Sequence, residues 1–271
     1  WMGLVTSPAS RAQGELHPPS RVIMVIPTYN ERENLRQIVE RVRSCQPNVD
    51  VLIVDDNSPD GTGEIATTLA LNDQAVKVLH RETKEGLGAA YIAGFREALR
   101  LGYDVVGEMD ADGSHQPEQL QRLLDAVEHA DLVIGARYVR GGSVINWPWH
   151  RRLLSKGGNR YIRMLLGTPL SDATAGFRLI RKEALEVIDL DSIHSRGYVF
   201  QVDLAYRCLQ EGLRVVEVPI DFVERERGHS KMTPDIALDS LRRITKWGLR
   251  QRMHQLKHSG DLGSSGTKLG G

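Results

Sequence analysis

The chain has 271 residues, 41% hydrophobic and 26% charged, which is enough for one substantial core and typical of a folded globular protein. Its 35 basic and 35 acidic residues cancel, so no overall field favours nucleic acid as a partner. The two cysteines, Cys45 and Cys208, lie far apart in helix-like segments, which argues against a disulfide framework and favours a reducing, cytosolic setting. No apolar run reaches the roughly 18 residues that predict a membrane-spanning helix.

Short apolar runs alternate with helical patterns along the chain. Residues 1–20 are rich in Pro, Ser and Ala and are predicted to be disordered. Strands are predicted at Val22–Ile26, Val51–Val54, Val76–Leu79, Val105–Met109, Leu132–Ile134 and Val215–Ile220. Helices are predicted at Glu31–Ser44, Gly63–Leu71, Leu87–Leu101 and Pro117–His129, with Asn30 as the N-cap of the first and Pro117 in the first turn of the fourth. Apolar strands that alternate with helices predict an open α/β sheet, mostly parallel and flanked by helices.

Two later segments, about 144–167 and 234–257, combine apolar or aromatic residues with basic ones. The first holds Trp147 and Trp149 beside a basic cluster, and the second places four basic residues on one helix side and Leu241, Ile244 and Trp247 on another. Such patterns predict peripheral contact with a membrane interface. Helices packed on the core with a solvated basic face would explain them equally. The Gly/Ser-rich tail 259–271 is predicted to be disordered, which leaves 21–258 as the folded domain.

Polar residues follow five of the predicted strands, where ligands bind in sheets of this kind. Asp110 and Asp112 stand two apart at one strand end, so both carboxylates turn to the same side. Two hard oxygen ligands suit Mg²⁺ or Mn²⁺, which in turn neutralise a diphosphate. An acidic loop or a helix cap would also explain the pair. The sequence lacks the glycine-rich fingerprints of dinucleotide sites and of P-loops, so phosphate charge must be met in another way.

Two further strand ends carry candidate ligands. The Asp55 carboxylate can accept hydrogen bonds from a base or from ribose hydroxyls, although the residues after it also suit a turn in which Asp60 caps the next helix. The Arg137 guanidinium matches a phosphate bidentately, but it could instead pair with a carboxylate at the same edge.

Several motifs occur in a specific order along the chain. They are Val25-Ile26-Pro27-Thr28-Tyr29-Asn30-Glu31, Val54-Asp55-Asp56-Asn57-Ser58-Pro59-Asp60-Gly61-Thr62, Gly86-Leu87-Gly88, Asp110-Ala111-Asp112, Gly135-Ala136-Arg137-Tyr138, Asp172-Ala173-Thr174-Ala175-Gly176-Phe177-Arg178, Gly197-Tyr198-Val199-Phe200-Gln201, and Phe222-Val223-Glu224-Arg225 with Gly228-His229-Ser230-Lys231. Over about Val22 to Trp247, the chain resembles the family 2 inverting glycosyltransferases of the GT-A fold. More narrowly, it resembles the dolichol-phosphate and actinobacterial polyprenol monophosphomannose synthases.

The resemblance implies transfer of mannose from GDP-mannose to a polyprenyl phosphate, at the cytoplasmic face of the cell membrane, with Mg²⁺ or Mn²⁺ as cofactor. It implies nucleotide-sugar contacts from Pro27, Tyr29, Glu31, Ile53, Asp55, Lys84, Asp110, Ala111, Asp112, Arg225 and Lys231. It implies metal ligation by Asp110 and Asp112, catalytic roles for Asp112 and Arg137, and acceptor contacts from Arg137, Arg151 and Ser155. Ser114 departs from the family pattern, because relatives often carry Gln there as a third metal ligand.

Other functions fit parts of the same pattern. A glucosyltransferase that uses UDP-glucose and a polyprenyl phosphate is the nearest alternative. A nucleotidyltransferase would typically show a glycine-rich, basic first loop, which Tyr29-Asn30-Glu31 is not. A catalytically inactive sugar-nucleotide sensor or membrane scaffold is disfavoured by the intact acidic pair.

Overall fold

The computed structural model describes residues 3–5, 16, 18–193, 197–225 and 241–250. The strands are β1 (Gly3–Val5), β2 (Val22–Thr28), β3 (Val49–Asp55), β4 (Val76–His80), β5 (Val105–Glu108), β6 (Leu132–Ala136), β7 (Ser143–Ile145), β8 (Arg178–Arg181), β9 (Val215–Pro219) and β10 (Asp221–Val223). The helices are α1 (Leu35–Cys45), α2 (Thr62–Asn72), α3 (Leu87–Arg100), α4 (Leu120–Val127), α5 (Trp149–Leu166), α6 (Lys182–Val187) and α7 (Tyr198–Gln210). Residues 241–250 are also helical.

The main sheet has the strand order β1-β9-β6-β8-β5-β2-β3-β4, and a parallel pair of β7 and β10 lies apart from it. The predicted strands β2 to β6 and β9 are all present, and β2, β3, β4 and β5 run parallel as expected. The unpredicted β8 lies antiparallel between β5 and β6. Its reversed direction brings the loop before it to the same edge as the carboxyl ends of β2, β3, β5 and β6.

The sheet separates two buried apolar clusters. One lies beneath α3, α5 and α7 and includes Tyr91, Phe95 and Phe200, whose rings contact one another. The other lies beneath α1, α2 and α4. Because both faces are covered, the strands are buried along nearly their whole length, which explains why their sequences lack a polar alternation. This rigid sheet fixes the positions of the loops at its edge.

Three local predictions can be compared with this fold. Asn30 is not the N-cap of α1, because it has a positive φ of 57° in a turn and the helix begins at Leu35. Pro117 opens a 3-10 turn, Pro117–Gln119, that leads into α4. Gly61, not Asp60, is the N-cap of α2, although the Asp60 carboxylate accepts hydrogen bonds from the backbone N–H and hydroxyl of Thr62, the first residue of the helix.

The chain ends are described only in part. Within the segment 1–20, Gly3–Val5 pairs antiparallel with β9 and so satisfies backbone groups at that edge of the sheet. Residues 259–271 lie outside the described residues, and the domain limits stay a prediction. Over the part of the chain that the structure describes, no helix is both long and apolar enough to cross a bilayer.

Candidate active site

The acidic pair lies directly after β5 at the carboxyl edge of the sheet. Asp110 keeps 38% of its side-chain surface exposed, Asp112 keeps 9%, and Ala111 between them is buried. Asp112 accepts a hydrogen bond from the Ser114 backbone N–H at 3.0 Å, and its other oxygen lies 2.9 Å from an Arg225 guanidinium nitrogen. The short strand β10 delivers Arg225, because Val223 donates its N–H to the Ser114 carbonyl. Asp112 of the predicted metal pair therefore meets Arg225, which is predicted to contact the nucleotide sugar.

The two carboxylates differ in their affinity for protons. Loss of hydration in the cleft, together with repulsion from Asp112, raises the pKa of Asp110 to about 7. Burial opposes ionisation of Asp112 as well, but Arg225 and the hydrogen bonds from Ser114 outweigh it and lower the pKa of Asp112. The pair thus holds more negative charge than its surroundings neutralise, and hard oxygen donors with excess charge fit a divalent cation.

Protein side chains supply few ligands for such a cation. Among the described residues, no three His, Cys, Asp or Glu side chains are grouped to hold a metal ion. His115 is buried, and its Nδ1 accepts the backbone N–H of Asp110 at 3.1 Å, so this nitrogen is already occupied. Burial lowers the pKa of His115 to about 4, which leaves the ring neutral between Phe177 and Phe222. Asp110 and Asp112 are therefore the two carboxylates at this position that could hold a metal, and diphosphate and water oxygens would complete its shell.

The predicted nucleotide contacts lie along the ends of β2 and β3. Asp55 is 3% exposed and accepts hydrogen bonds from the hydroxyls of Thr28 and Ser58, so it is engaged within the protein. Lys84 lies with its Nζ 3.6 Å from the centre of the Tyr29 ring, which forms a cation–π contact at the mouth of the cleft.

Three other predicted donor contacts differ in their accessibility. Pro27 and Glu31 are half-buried beside the cleft. Ile53, predicted near the base, is instead fully buried in the core beneath α1 and α2. That expectation was wrong, because a side chain inside a doubly covered sheet presents no surface to a ligand. Lys231 lies outside the described residues.

Arg137 is held by Asp172, which the antiparallel β8 brings to the edge. Its Nε and Nη2 lie 2.7 and 2.6 Å from the two carboxylate oxygens of Asp172, and its backbone N–H also donates to Asp172. The guanidinium carbon stands 5.2 to 5.8 Å from the ring centres of Tyr138, Trp147 and Phe222. The carboxylate pairing that was left open in the sequence is thus present, and an aromatic box fixes the rest of the guanidinium.

The acceptor candidates lie on α5 beside this box. Arg151 pairs with Glu224 at 2.7 Å and lies 4.0 Å over the Trp147 ring, while Ser155 is half-buried one turn further along. Trp147 was expected at a membrane interface, but it packs edge-on against Phe222 within the site. Sequence reasoning did not assign Phe222 or Glu224 a role, although both fall within the motif that precedes Arg225.

The second predicted interfacial helix is described at residues 241–250. Ile244 is buried and Trp247 packs against Tyr206, so this part of the apolar side faces the core. Arg242, Arg243, Lys246 and Arg250 are exposed. This side of the helix is therefore packed on the core and its basic side chains are solvated, as the alternative to membrane contact predicts, while Leu241 and Leu249 remain exposed.

The open sheet thus carries two carboxylates at its carboxyl edge, with the Arg225 guanidinium beside Asp112. Residues 23–189 match the model of the family described as Glycosyl transferase family 2, and the chain belongs to that family. It is 56% identical over 237 residues to an undecaprenyl-phosphate mannosyltransferase of Micrococcus luteus, covering 88% of this chain and 98% of the relative. It is 53% identical over 258 residues to a polyprenol monophosphomannose synthase of Mycolicibacterium smegmatis, covering 92% and 97%.

Solved structures with low sequence identity share the GT-A fold. Glucosyl-3-phosphoglycerate synthase of Mycobacterium tuberculosis, in complex with Mn²⁺, UDP and its product, superposes with a TM-score of 0.60 at 17% identity over 86% of this chain and 80% of that one. A mannosyltransferase of Pyrobaculum calidifontis with GDP-Man and Mn²⁺ gives 0.53 at 17% identity over 95% and 80%. The predicted GT-A architecture is confirmed.

Proposed function

We propose that this glycosyltransferase moves mannose from GDP-mannose to a polyprenyl phosphate with inversion of the anomeric carbon. The observation that carries the proposal is an identity above half, along nearly their full length, to two relatives named as an undecaprenyl-phosphate mannosyltransferase and a polyprenol monophosphomannose synthase. The site agrees with it, because the acidic pair and Arg225 meet at the edge of the sheet where a nucleotide sugar would bind.

A divalent metal, Mg²⁺ or Mn²⁺, would be held by Asp110 and Asp112 and would supply positive charge to the departing diphosphate. Arg225 would add cationic charge to the same diphosphate, and Lys231, which lies outside the described residues, stays a predicted second cation. The half-buried Pro27, Tyr29 and Glu31, with Asp55, Lys84 and Ala111, border the nucleoside. Arg225 pairs with Asp112 in this structure, so donor binding would redirect that guanidinium from carboxylate to phosphate.

In the reaction, an oxygen of the acceptor phosphate attacks the anomeric carbon while the bond from that carbon to the GDP oxygen breaks. A phosphate monoester has a second pKa near 6, so it is mostly dianionic at pH 7 and needs no strong general base. Arg137, Arg151 and Ser155 would orient this phosphate for in-line attack. The neutral His115 and the engaged Asp55 agree with a mechanism in which no single side chain must accept a proton.

The proposed reaction is tested by measuring how much sugar label moves from the water-soluble nucleotide sugar into an organic-soluble lipid product. The purified chain is incubated with a short polyprenyl phosphate, Mg²⁺ or Mn²⁺, and either labelled GDP-mannose or labelled UDP-glucose. We expect organic-soluble, metal-dependent label from GDP-mannose alone. Label from UDP-glucose instead would establish the alternative glucosyltransferase, and unchanged turnover in excess chelator would contradict the metal.

Metal affinity should depend on pH, because a metal must displace the proton that Asp110 holds more tightly than usual. With a pKa of about 7, Asp110 binds a proton below neutrality, so we expect Mn²⁺ alone to bind about tenfold more weakly at pH 6 than at pH 8. The exposed part of the carboxylate would moderate this difference. Paramagnetic resonance titration of free Mn²⁺ measures it. Asp110→Asn should abolish the pH dependence, whereas equal affinities in the wild type would contradict the assignment.

We also propose peripheral contact with the cytoplasmic face of a membrane, where the lipid acceptor resides. Among the described residues, seven of the eight exposed large apolar side chains belong to β7, α5 or residues 241–250; on α5 they are Trp149, Leu153, Leu154 and Met164. Both cysteines are free, which agrees with a reducing compartment. The apolar side chains would enter the interface region while the fold remains outside the bilayer.

A further inference from the structure

The exposed side of α5 borders a groove that the proposed reaction does not use. The groove has a volume of about 780 Å³ and runs along the helix past its C-terminal end. Lys156, Arg160 and Arg163 line it at spacings of four and three residues, so they form one row on the helix. All three are exposed, and within the described residues none of them forms an ion pair, in contrast to Arg151.

The charge of this region is strongly segregated. Residues 132–171 contain no Asp or Glu, although the whole chain is neutral, so nothing in this stretch offsets its lysine and arginines. The Glu217 carboxylate accepts the backbone N–H of Ser171 at the groove, but it is buried, so the exposed side chains that a ligand would meet are basic and attract an anion. Charge alone does not make a defined binding site, because a solvated row of basic side chains would bind ions diffusely. The groove supplies the defined shape.

A buried hydroxyl in the groove indicates a defined ligand. Thr168 is only 6% exposed and lines the groove, yet its Oγ1 has no hydrogen-bond partner among the residues that the structure describes. Buried hydroxyls are ordinarily paired, and a phosphate oxygen is a suitable acceptor. The Lys156 ammonium lies 5.6 Å from the centre of the ring of Tyr138, which also lines the groove, and this contact restrains the ammonium there.

The neighbouring residues indicate where the anion comes from. Trp149 and Leu153 continue the same row of the helix toward its N-terminus, and Met164 adjoins it, with exposed fractions of 75%, 64% and 68%. An apolar row joined to a basic row matches the boundary between acyl chains and headgroups. The acceptor candidates Arg151 and Ser155 do not line the groove, although Asn159, one turn beyond Ser155, does.

We propose that the groove binds the phosphate of an acidic phospholipid in the bilayer, separately from the polyprenyl phosphate acceptor. The inference rests on the proposed membrane contact, since it assigns a headgroup to that surface. A headgroup bound in the groove would hold α5, and the acceptor candidates Arg151 and Ser155 on it, against the bilayer from which the acceptor enters.

Flotation of the protein with vesicles tests this site. One set contains 30% phosphatidylglycerol in phosphatidylcholine and the other contains phosphatidylcholine alone (a composition of about this charge suffices for a measurable surface potential). Exchanging Lys156, Arg160 and Arg163 for Gln should lower partitioning onto the acidic vesicles about a hundredfold, since each basic residue near such a surface contributes about fivefold. The matched control exchanges Arg36, Arg100 and Arg122 for Gln, which removes equal charge elsewhere and should change partitioning by less than about threefold.

A single substitution separates a defined site from a diffuse field. Thr168→Val removes one hydroxyl without changing charge, and we expect about fivefold weaker partitioning onto acidic vesicles with no change on neutral ones. Unchanged binding by this variant, or equal losses in both triple variants, would overturn the proposed site.

An activity assay distinguishes the two possible sources of phosphate. With a short-chain polyprenyl phosphate in neutral detergent micelles, the groove triple variant should turn over within about twofold of the wild type. A large loss there would mean that the groove holds the acceptor, which overturns the assignment to a bilayer lipid. Flotation does not depend on catalysis, so failure of the proposed reaction would leave the vesicle result interpretable.

Discussion

Replacing Asp112 with Asn is expected to lower the rate of mannose transfer by about a hundredfold to a thousandfold. The amide keeps the shape of the side chain and can still accept the hydrogen bond from the Ser114 N–H. It removes the charge that would bind a metal, and it leaves Arg225 without its carboxylate partner. Initial rates at saturating GDP-mannose, with Mn²⁺ binding measured in parallel, would show whether both properties fall together.

The fold should survive this change. Asp110 no longer repels a neighbouring charge in the variant, and Arg225 keeps 20% of its side-chain surface exposed, so we expect the free energy of unfolding to fall by only about 1–3 kcal/mol. Asp125→Asn is a suitable control, because Asp125 is exposed on α4 and accepts a hydrogen bond from Gln121. Full activity of the Asp112 variant with a cooperative thermal transition would remove Asp112 from the site.

The sequence was informative wherever a strand ends at the active edge. Asp110, Asp112 and Arg137 each follow a parallel strand, and periodicity plus the strand-end rule located all three. Asp172 could not be located in the same way, because it precedes β8, a four-residue strand whose antiparallel direction depends on tertiary pairing. A motif containing Asp172 was visible, but its partner was not.

Burial was the other property that the sequence could not supply. Ile53 has the same apolar character as its strand neighbours, and only the packing of α1 and α2 over β3 shows that it has no surface for a ligand. Trp147 likewise fits a membrane interface by composition, whereas its position beside Phe222 results from the pairing of β7 with β10. Residue chemistry identified the kind of site, and long-range contacts decided which side chains enter it.

Because Arg137 pairs with Asp172, its substitution could lower activity either by destabilising the fold or by removing a contact with the acceptor phosphate. A double variant separates these two effects. Arg137 is 8% exposed and Asp172 is fully buried, so Arg137→Met would leave a buried charge without its partner. We expect a loss of about 3–5 kcal/mol in the free energy of unfolding, measured by urea denaturation. Loss of activity in this variant alone would therefore not separate a structural role from contact with the acceptor phosphate.

The double variant Arg137→Met with Asp172→Asn removes both charges and should recover most of that stability, to within about 2 kcal/mol of the wild type. If the guanidinium orients the acceptor phosphate, transfer should remain at least about a hundredfold slower despite the recovered fold. Recovery of activity together with stability would instead assign Arg137 a purely structural role.

The opposite edge of the sheet offers a matched control for this experiment. Arg214 pairs with Asp131 in the same manner, through its Nε at 3.0 Å and its backbone N–H at 2.7 Å, just before β9 and β6 begin. Arg214→Met should likewise destabilise the fold, and adding Asp131→Asn should restore both stability and transfer. Because the two pairs share their geometry but lie at opposite strand ends, a difference in recovered activity between the two double variants would isolate the contribution of the Arg137 guanidinium to the reaction.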